Sequence, residues 1–383
     1  MAYSKTKTQS DEPKRDLRQE VTDAMVAALE QGKIPWAKPW KNLDQGLPRN
    51  LQSGKQYNGG NRMLLLFSMI ERGYSDPRFS TFQQIKAEGG AVNKGEKGIP
   101  VELWKDQKFW ERTDVSVTQN GQRVRVLSEA RGQVETSAGT VPKEALRVEH
   151  KGQHMAWNEA HKLDSVVGKT YTVFNVQQTT GLQLAPLARV GNDVPLNERG
   201  EQIKTAMSRD GLGFSEGGNQ AFYSPVTDRV TLPPRDSFKN EEGFYGTMLH
   251  EIGHATGAAQ RLNRDGITGR HDFGSEGYAR EELRAELFSM MSAVETGIPH
   301  DPEQHAAYVQ SWAKVLKQDK NEIFRAASEA SKACDYVFER VNTLKNEHAA
   351  TAEATQAQPA EATTPTPPAP APRERVKEAE LTL

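Results

Sequence analysis

Residues 250–287 read HEIGHATGAAQRLNRDGITGRHDFGSEGYAREELRAEL, and the spacing of the ionisable side chains here decides the fold reading of the C-terminal half. His250 and His254 stand four residues apart, one turn along the same face of a helix. At that spacing both imidazoles reach one zinc ion at about 2.0–2.1 Å. Glu251 projects to the neighbouring side, where its carboxylate can take a proton from a zinc-activated water as general base. A second helix follows, with Glu282 and Glu286 again one turn apart and Leu283, Leu287 and Met290 on adjoining faces. Two carboxylates on a half-buried helical face need a cation or a metal beside them.

The natural assignment makes Glu282 the third ligand and Glu286 an acceptor that orients a ligand histidine, with Glu281 and Glu286 the competing choices of ligand. The plain alternative is a solvated acidic face paired with Arg280 and Arg284. Three protein ligands leave the fourth position for water, the catalytic arrangement, with Zn2+ as the expected ion and Mn2+ as the other choice. His271, Tyr278 and Tyr223 are candidates to stabilise an oxyanion. Just upstream, AFYSPVTDRVTLPP (221–234) reads as a hairpin whose edge strand lies beside the metal, open to an extended peptide.

The N-terminal half carries different chemistry. Residues 33–104 hold eleven Lys/Arg against six Asp/Glu, a net of +5 in a chain whose formal charge is -2. Aromatic residues are interleaved with the bases: Trp36, Trp40, Tyr57, Tyr74, Phe79, Phe82 and Trp104. Bases that neutralise phosphates and rings that stack on unpaired bases are the chemistry of single-strand binding, whereas the same rings can equally form a small core. The candidate contacts are Trp36, Lys38, Trp40, Asn50, Tyr57, Asn61, Arg78, Lys94, Lys97 and Trp104. In the loop NKGEKG, Lys94 and Lys97 stand among glycines that admit close approach of phosphate.

Leu17, Val21, Met25 and Leu29 mark a helix stopped by Gly32, and a second runs from Asn61 to Arg72 before Gly73. The alternation of VSVTQNGQRVRVL around Asn120-Gly121 predicts a hairpin, and the polar stretch after it reads as a mobile loop. Helices are expected from Glu198 to Asp210, Leu249 to Thr256, Arg280 to Glu295 and, as a pair, His305 to Asn346. The lone Cys334 excludes an internal disulfide and a cysteine-rich zinc site. The first fifteen residues lack the apolar stretch of a secretory signal and no apolar run spans a bilayer, so a cytoplasmic protein without membrane contact is expected.

Several stretches together resemble the ArdC family of antirestriction proteins. They are PWAKPW (35–40), PRNLQSGKQYNGGNRMLL (48–65), GYSDPRFSTFQQ (73–84), VNKGEKG (92–98), YTVFNVQQTTGL (171–182), AFYSPVTDRVTLPP (221–234), HEIGHATG with RLNR (250–264) and YAREELRAEL (278–287). The resemblance implies an α+β protein: a mixed α+β domain that binds single-stranded DNA, then a mainly helical, zincin-like metallopeptidase domain with a small β-sheet. The expected division is a disordered start (1–12), a DNA-binding domain (13–185) with a polar insertion at about 105–160, the zincin-like domain (190–346) and a disordered Pro/Ala-rich tail (347–383). The implied setting is conjugative transfer of a plasmid, with single-stranded DNA as partner and a host restriction-system protein as substrate. The competing reading is a non-catalytic DNA-binding protein that protects by occupancy, its zinc structural or vestigial. Similar plasmid proteins are described as primases, but no paired-carboxylate polymerase motif is present.

Overall fold

Asp16 caps the first helix, α1 (Leu17–Glu30), by accepting the Gln19 N–H, and Gly32 at φ 69° ends it where the sequence places a stop. The computed structural model describes residues 16–36, 43, 45–187, 194–269, 271–272, 274–301 and 308–356. After β1 (Arg49–Asn50) comes α2 (Gly59–Arg72), closed by Gly73 in the left-handed conformation. Then follow β2 (Arg78–Thr81), α3 (Phe82–Ala87) on its Thr81–Gln84 capping box, β3 (Ala91–Val92) and the long β4 (Ile99–Gln107).

The hairpin expected around Asn120-Gly121 forms as β5 (Val115–Gln119) and β6 (Gln122–Arg123). The stretch after it, expected to be a mobile loop, is instead ordered: β7 (Val126–Ala130), β8 (Gln133–Thr136), β9 (Gly139–Pro142), β10 (Leu146–His150), β11 (Gln153–Met155) and the short α4 (Trp157–Ala160). Three tight turns make this possible. Asn120-Gly121, Arg131-Gly132 and Lys151-Gly152 all have positive φ at both residues, the geometry that joins antiparallel strands through two residues. Phe109, Val117, Val134, Val148 and Trp157 form a core of this module's own. The short strands alternate buried and exposed side chains, so a polar composition hides a complete apolar interior.

β12 (Ser165–Asn175) returns beside β4 over nine residue pairs, and β13 (Thr179–Thr180) pairs with β3. The main sheet of this half has the order β1-β2-β12-β4. The second half begins with α5 (Leu196–Arg209), then β14 (Gly213–Glu216), β15 (Phe222–Ser224) and β16 (Arg229–Leu232), ordered β14-β16-β15 with β15 at the edge. It continues with α6 (Glu241–Ala255), α7 (Asp265–Thr268), α8 (Glu276–Thr296), α9 (Val309–Gln318) and α10 (Glu322–Gln356). α10 extends past residue 346 into the stretch expected to be disordered; residues 1–12 and 357–383 lie outside the described ones.

The two halves share one hydrophobic cluster, from Met25, Leu65 and Phe79 to Leu249, Leu283, Trp312 and Val337. α1 packs on α9, and α2 on α10. Polar ties cross the same seam. Arg62 of α2 is buried, donating to the Tyr57 and Ser331 carbonyls and to Asp335 of α10 at 2.8 Å. Arg18 of α1 binds Glu102 of β4 at 2.7 Å and Asn321 ahead of α10 at 2.8 Å. Stripping a buried arginine of its acceptor costs roughly 3–5 kcal/mol, so these contacts hold the halves as one body.

The β-module therefore hangs from the β4–β12 ribbon as the separable part. Replacing residues 108–164 by an Asn-Gly turn should leave a cooperatively folded protein whose main calorimetric transition persists. An aggregated or non-cooperative product would show that the module supports the shared core.

Candidate metal centre

α6 begins where the Asn240 side chain accepts the Gly243 N–H, with Glu241 and Glu242 in the first turn complementing the helix dipole. Phe244, Tyr245, Met248, Leu249 and Ile252 bury one flank and thereby aim His250 and His254 inward at α8. α8 starts on Ser275, which caps Tyr278 N, and ends at Gly297 in the left-handed conformation. The two helices approach closely at Gly253. A Cβ there would lie 2.8 Å from Phe288 Cδ1 and 3.3 Å from Ala285 Cα, contacts only glycine avoids.

This approach brings three donors together. His250 Nε2 and His254 Nε2 are 3.2 Å apart; His250 Nε2 lies 3.5 Å from Glu282 Oε2 and His254 Nε2 3.5 Å from Glu282 Oε1. Donors around a tetrahedral ion at about 2.0–2.1 Å are about 3.3 Å apart, so these spacings are close to those of one face of a zinc tetrahedron. Among the described residues this is the one cluster of three metal-ligating side chains. Glu251, Glu281, Glu282 and Glu286 are all buried beside it.

Each ligand histidine has a carboxylate behind it. Glu286 Oε1 lies 3.8 Å from His250 Nδ1, and Glu281 Oε1 lies 3.5 Å from His254 Nδ1. Glu281 is pinned by Arg264, itself buried and donating also to Thr256 Oγ1 and the Gly253 carbonyl. Arg280 and Arg284, the partners of the solvated-face alternative, turn away to Glu322 and Glu329 of α10. The electrostatics follow from this crowding. Burial alone would depress the His254 pKa, but Glu282, Glu281 and Glu251 outweigh it and raise the value to about 9. Burial likewise opposes ionisation of Glu282, yet His254 and His250 pull it down to about 2. The pocket demands positive charge.

Of the oxyanion candidates, Tyr278 stands at the site, its pKa raised by burial and by the adjacent Glu282, with its hydroxyl 3.1 Å from that of Tyr308. Tyr308 carries no motif spacing and was not singled out in the sequence. His271 lies instead against Asp265, its Nε2 3.2 Å from that carboxylate, and the Tyr223 hydroxyl donates to Asp228 at 2.9 Å. Neither is free to meet an oxyanion. His300, a lone histidine without ligand spacing, proves buried with Nε2 2.9 Å from Glu286 Oε2.

The DNA-contact candidates scatter. Trp36 is fully buried, with its indole donating to Glu286, so it is a core residue and not a base-stacking platform. Asn61 exchanges two hydrogen bonds with the Glu102 backbone, Asn50 accepts from the Gln52 and Ser53 amides, and Arg78 is clamped by Asp76 and the Ala185 carbonyl. Tyr57 is half-buried against the core. These four brace the fold. Lys94, Lys97 and Trp104 are exposed, Trp104 by 54%; Lys38 and Trp40 lie outside the described residues. Beside Trp104, the ribbon also exposes Leu103, Lys105, Lys169 and Tyr171, none of which is among the sequence candidates.

Comparison with known proteins adds the family context. Residues 15–174 match the N-terminal domain of anti-restriction factor ArdC, and residues 201–329 match a zincin-like metallopeptidase family. The DNA primase TraC of Escherichia coli is 39% identical over 337 residues, which are 85% of this chain and 20% of that protein. A second TraC of that species is 38% identical over 330 residues, covering 27% of its length. The chain thus spans about a quarter or less of these relatives. An uncharacterised protein, y4eC of Sinorhizobium fredii, is 30% identical over 84% of this chain and 91% of its own. The crystal structure of the antirestriction protein ArdC from the R388 plasmid, in its metal-free form, aligns with a TM-score of 0.62 and 30% identity over 86% of this chain and 99% of that one. Its Mn(II)-bound form gives 0.60, also at 30% identity, over 85% and 98%.

Adding Zn2+ or Mn2+ at about a hundred times its Kd should stabilise the protein by about 2.7 kcal/mol, read as a rise in melting temperature that a chelator reverses. His250→Ala, His254→Ala and Glu282→Gln should each abolish that rise, whereas Glu281→Gln should retain it at about 10–100-fold weaker affinity. A full response in Glu282→Gln would reassign the third ligand.

Proposed function

Since the chain belongs to the ArdC antirestriction family, we propose that it binds single-stranded DNA delivered by conjugation and hydrolyses a peptide bond of a host restriction-system protein at the His250–His254–Glu282 centre. The observation that carries the hydrolytic part is the donor triangle with Glu251 on the adjacent face of the same helix turn. A divalent ion in the triangle supplies Lewis-acid polarisation of water and of a carbonyl. Zn2+ fits the two imidazoles and the carboxylate, and Mn2+ is compatible with the same set.

The remaining steps fall to the chain's own side chains. An extended peptide adds to β15, the edge strand that packs on α6, through main-chain hydrogen bonds. Glu251, buried next to the triangle, takes the proton of the attacking water and returns it to the leaving amine. The Tyr278 hydroxyl, paired with that of Tyr308, donates to the oxygen on which negative charge develops, a role supported by the nearness of Tyr278 to Glu282. Glu281 and Glu286 hold the two imidazoles in orientation from behind.

For DNA, the support lies on the β4–β12 ribbon. Trp104 lies across Gly168 of the neighbouring strand, and Lys105, Lys169 and Tyr171 are exposed around it. A ring with cations beside it suits unpaired bases and their phosphates. Lys94 and Lys97, in the turn that leads into β4, extend the basic surface.

Glu251→Ala should retain metal and DNA binding while hydrolysis of the host substrate is lost. A Glu251→Ala protein that still protects incoming DNA in cells would establish protection by occupancy. Trp104→Ala should weaken binding to a single-stranded oligonucleotide by about 1–3 kcal/mol, measured by anisotropy across a salt series. Unchanged affinity would move the DNA surface off the ribbon.

A further inference from the structure

Trp36 follows α1 in the first half of the chain, yet its side chain ends in the second. Its indole N–H donates to Glu286 Oε2 at 3.3 Å across 250 positions of sequence. The ring is fixed on two further sides, stacked on Phe67 of α2 at 6.2 Å and tilted against Trp312 of α9 at 5.6 Å. Trp36 and Glu286 are both fully buried. Glu286 takes a second contact at Oε2 from His300 Nε2, at 2.9 Å, and turns Oε1 towards His250 Nδ1.

We propose that Trp36 is a positioning residue of the metal centre, setting through Glu286 the orientation of the His250 imidazole and hence metal affinity. This rests on the reading of His250, His254 and Glu282 as metal ligands. A carboxylate has two oxygens and a free rotation about its last bond, so it orients a neighbour only when its far oxygen is held. Here the far oxygen is held by an indole and an imidazole, both rigid rings confined by packing. Trp36 and Glu286 are both fully buried, so the indole N–H does not compete with bulk water for the carboxylate. A direct partner of a ligand, the place Glu286 holds behind His250, changes metal affinity by about 10–100-fold when removed, and Trp36, one step further out, sets an effect below that. The support behind a histidine of the second half is then completed by a residue of the first.

Trp312 provides the control. It is as buried as Trp36 and touches its ring, but among the described residues it makes no hydrogen bond to Glu286. The experiment measures Zn2+ and Co2+ affinity of the full-length protein by competition with a chromogenic chelator, for wild type, Trp36→Phe, Trp312→Phe and His254→Ala, alongside the melting temperature of each apo protein. Trp36→Phe keeps the stacked ring and loses the N–H. Its metal affinity should fall by up to about 10-fold and the visible absorption of bound Co2+ should shift, whereas Trp312→Phe should melt lower with unchanged affinity and spectrum.

Wild-type affinity in Trp36→Phe, or an equal loss in Trp312→Phe at matched stability, would overturn the proposal. Equal metal binding by wild type and His254→Ala would instead overturn the ligand assignment beneath it. A measurement on the unmutated protein covers the case in which Trp36→Phe does not fold. The Trp36 indole N–H resonance should shift on zinc addition and that of Trp312 should not; a Trp36 signal indifferent to zinc sinks the idea.

Discussion

Four glutamates buried around two histidines set the terms for the rest of the molecule. Glu251, Glu281, Glu282 and Glu286 lie within two turns of α6 and α8 and are nearly inaccessible to water. Taking even one carboxylate out of water carries an effective penalty of several kcal/mol, so the cluster exists only where cations and donors converge on it. Arg264 meets Glu281, Trp36 and His300 meet Glu286, and the imidazoles meet Glu282. The loop after α6 exists to bring Arg264 back against α8, and Arg261 ties the same loop to Asp210 and Asp228. A divalent ion held by His250, His254 and Glu282 would add positive charge where the cluster is acidic, and the three donors already lie close together.

How much of this the sequence discloses depends on the range of the interaction. The i,i+4 histidines, the glycine stops at Gly32 and Gly73 and the second acidic helix are local patterns, and each was readable. Glu282 and Glu286 share one helical phase, so the local pattern marks both as inward-facing, and the division of roles between them remains a proposal. What could not be read is set by partners far along the chain. The composition around Trp36 fits a stacking platform as well as a core, and only α2, α8 and α9 decide between them. Asn61 and Arg78 mislead for the same reason, since a polar side chain that braces a backbone looks in sequence like one that awaits a ligand. His300 and Tyr308 have no spacing signal at all.

Of the β-module only the Asn120-Gly121 hairpin was readable, and the rest was missed for a different reason. Arg131-Gly132 and Lys151-Gly152 make the same turn as Asn120-Gly121. Asparagine tolerates positive φ readily and announces the turn, whereas arginine and lysine adopt it only where the strands on both sides enforce it. The strands are short, so each buries only one or two apolar side chains, and the alternation falls below what a polar composition allows to be seen.

Sequence families divide this chain into an N-terminal and a C-terminal part, but its packing divides it elsewhere. The module of residues 109–163 has its own core and meets the body through two strands, while the two halves of the body share a single core. Cutting between them would bare the faces where α1 meets α9 and α2 meets α10, and would leave Arg62 without Asp335 and Glu286 without the Trp36 indole. A flexible linker would let a DNA-binding part and a metal-binding part move independently. A shared core does the opposite, holding the ribbon that carries Trp104 in a fixed relation to the metal centre. Any coupling between the two is then carried by packed side chains, and the Trp36–Glu286 contact runs across the shared core to the carboxylate behind His250.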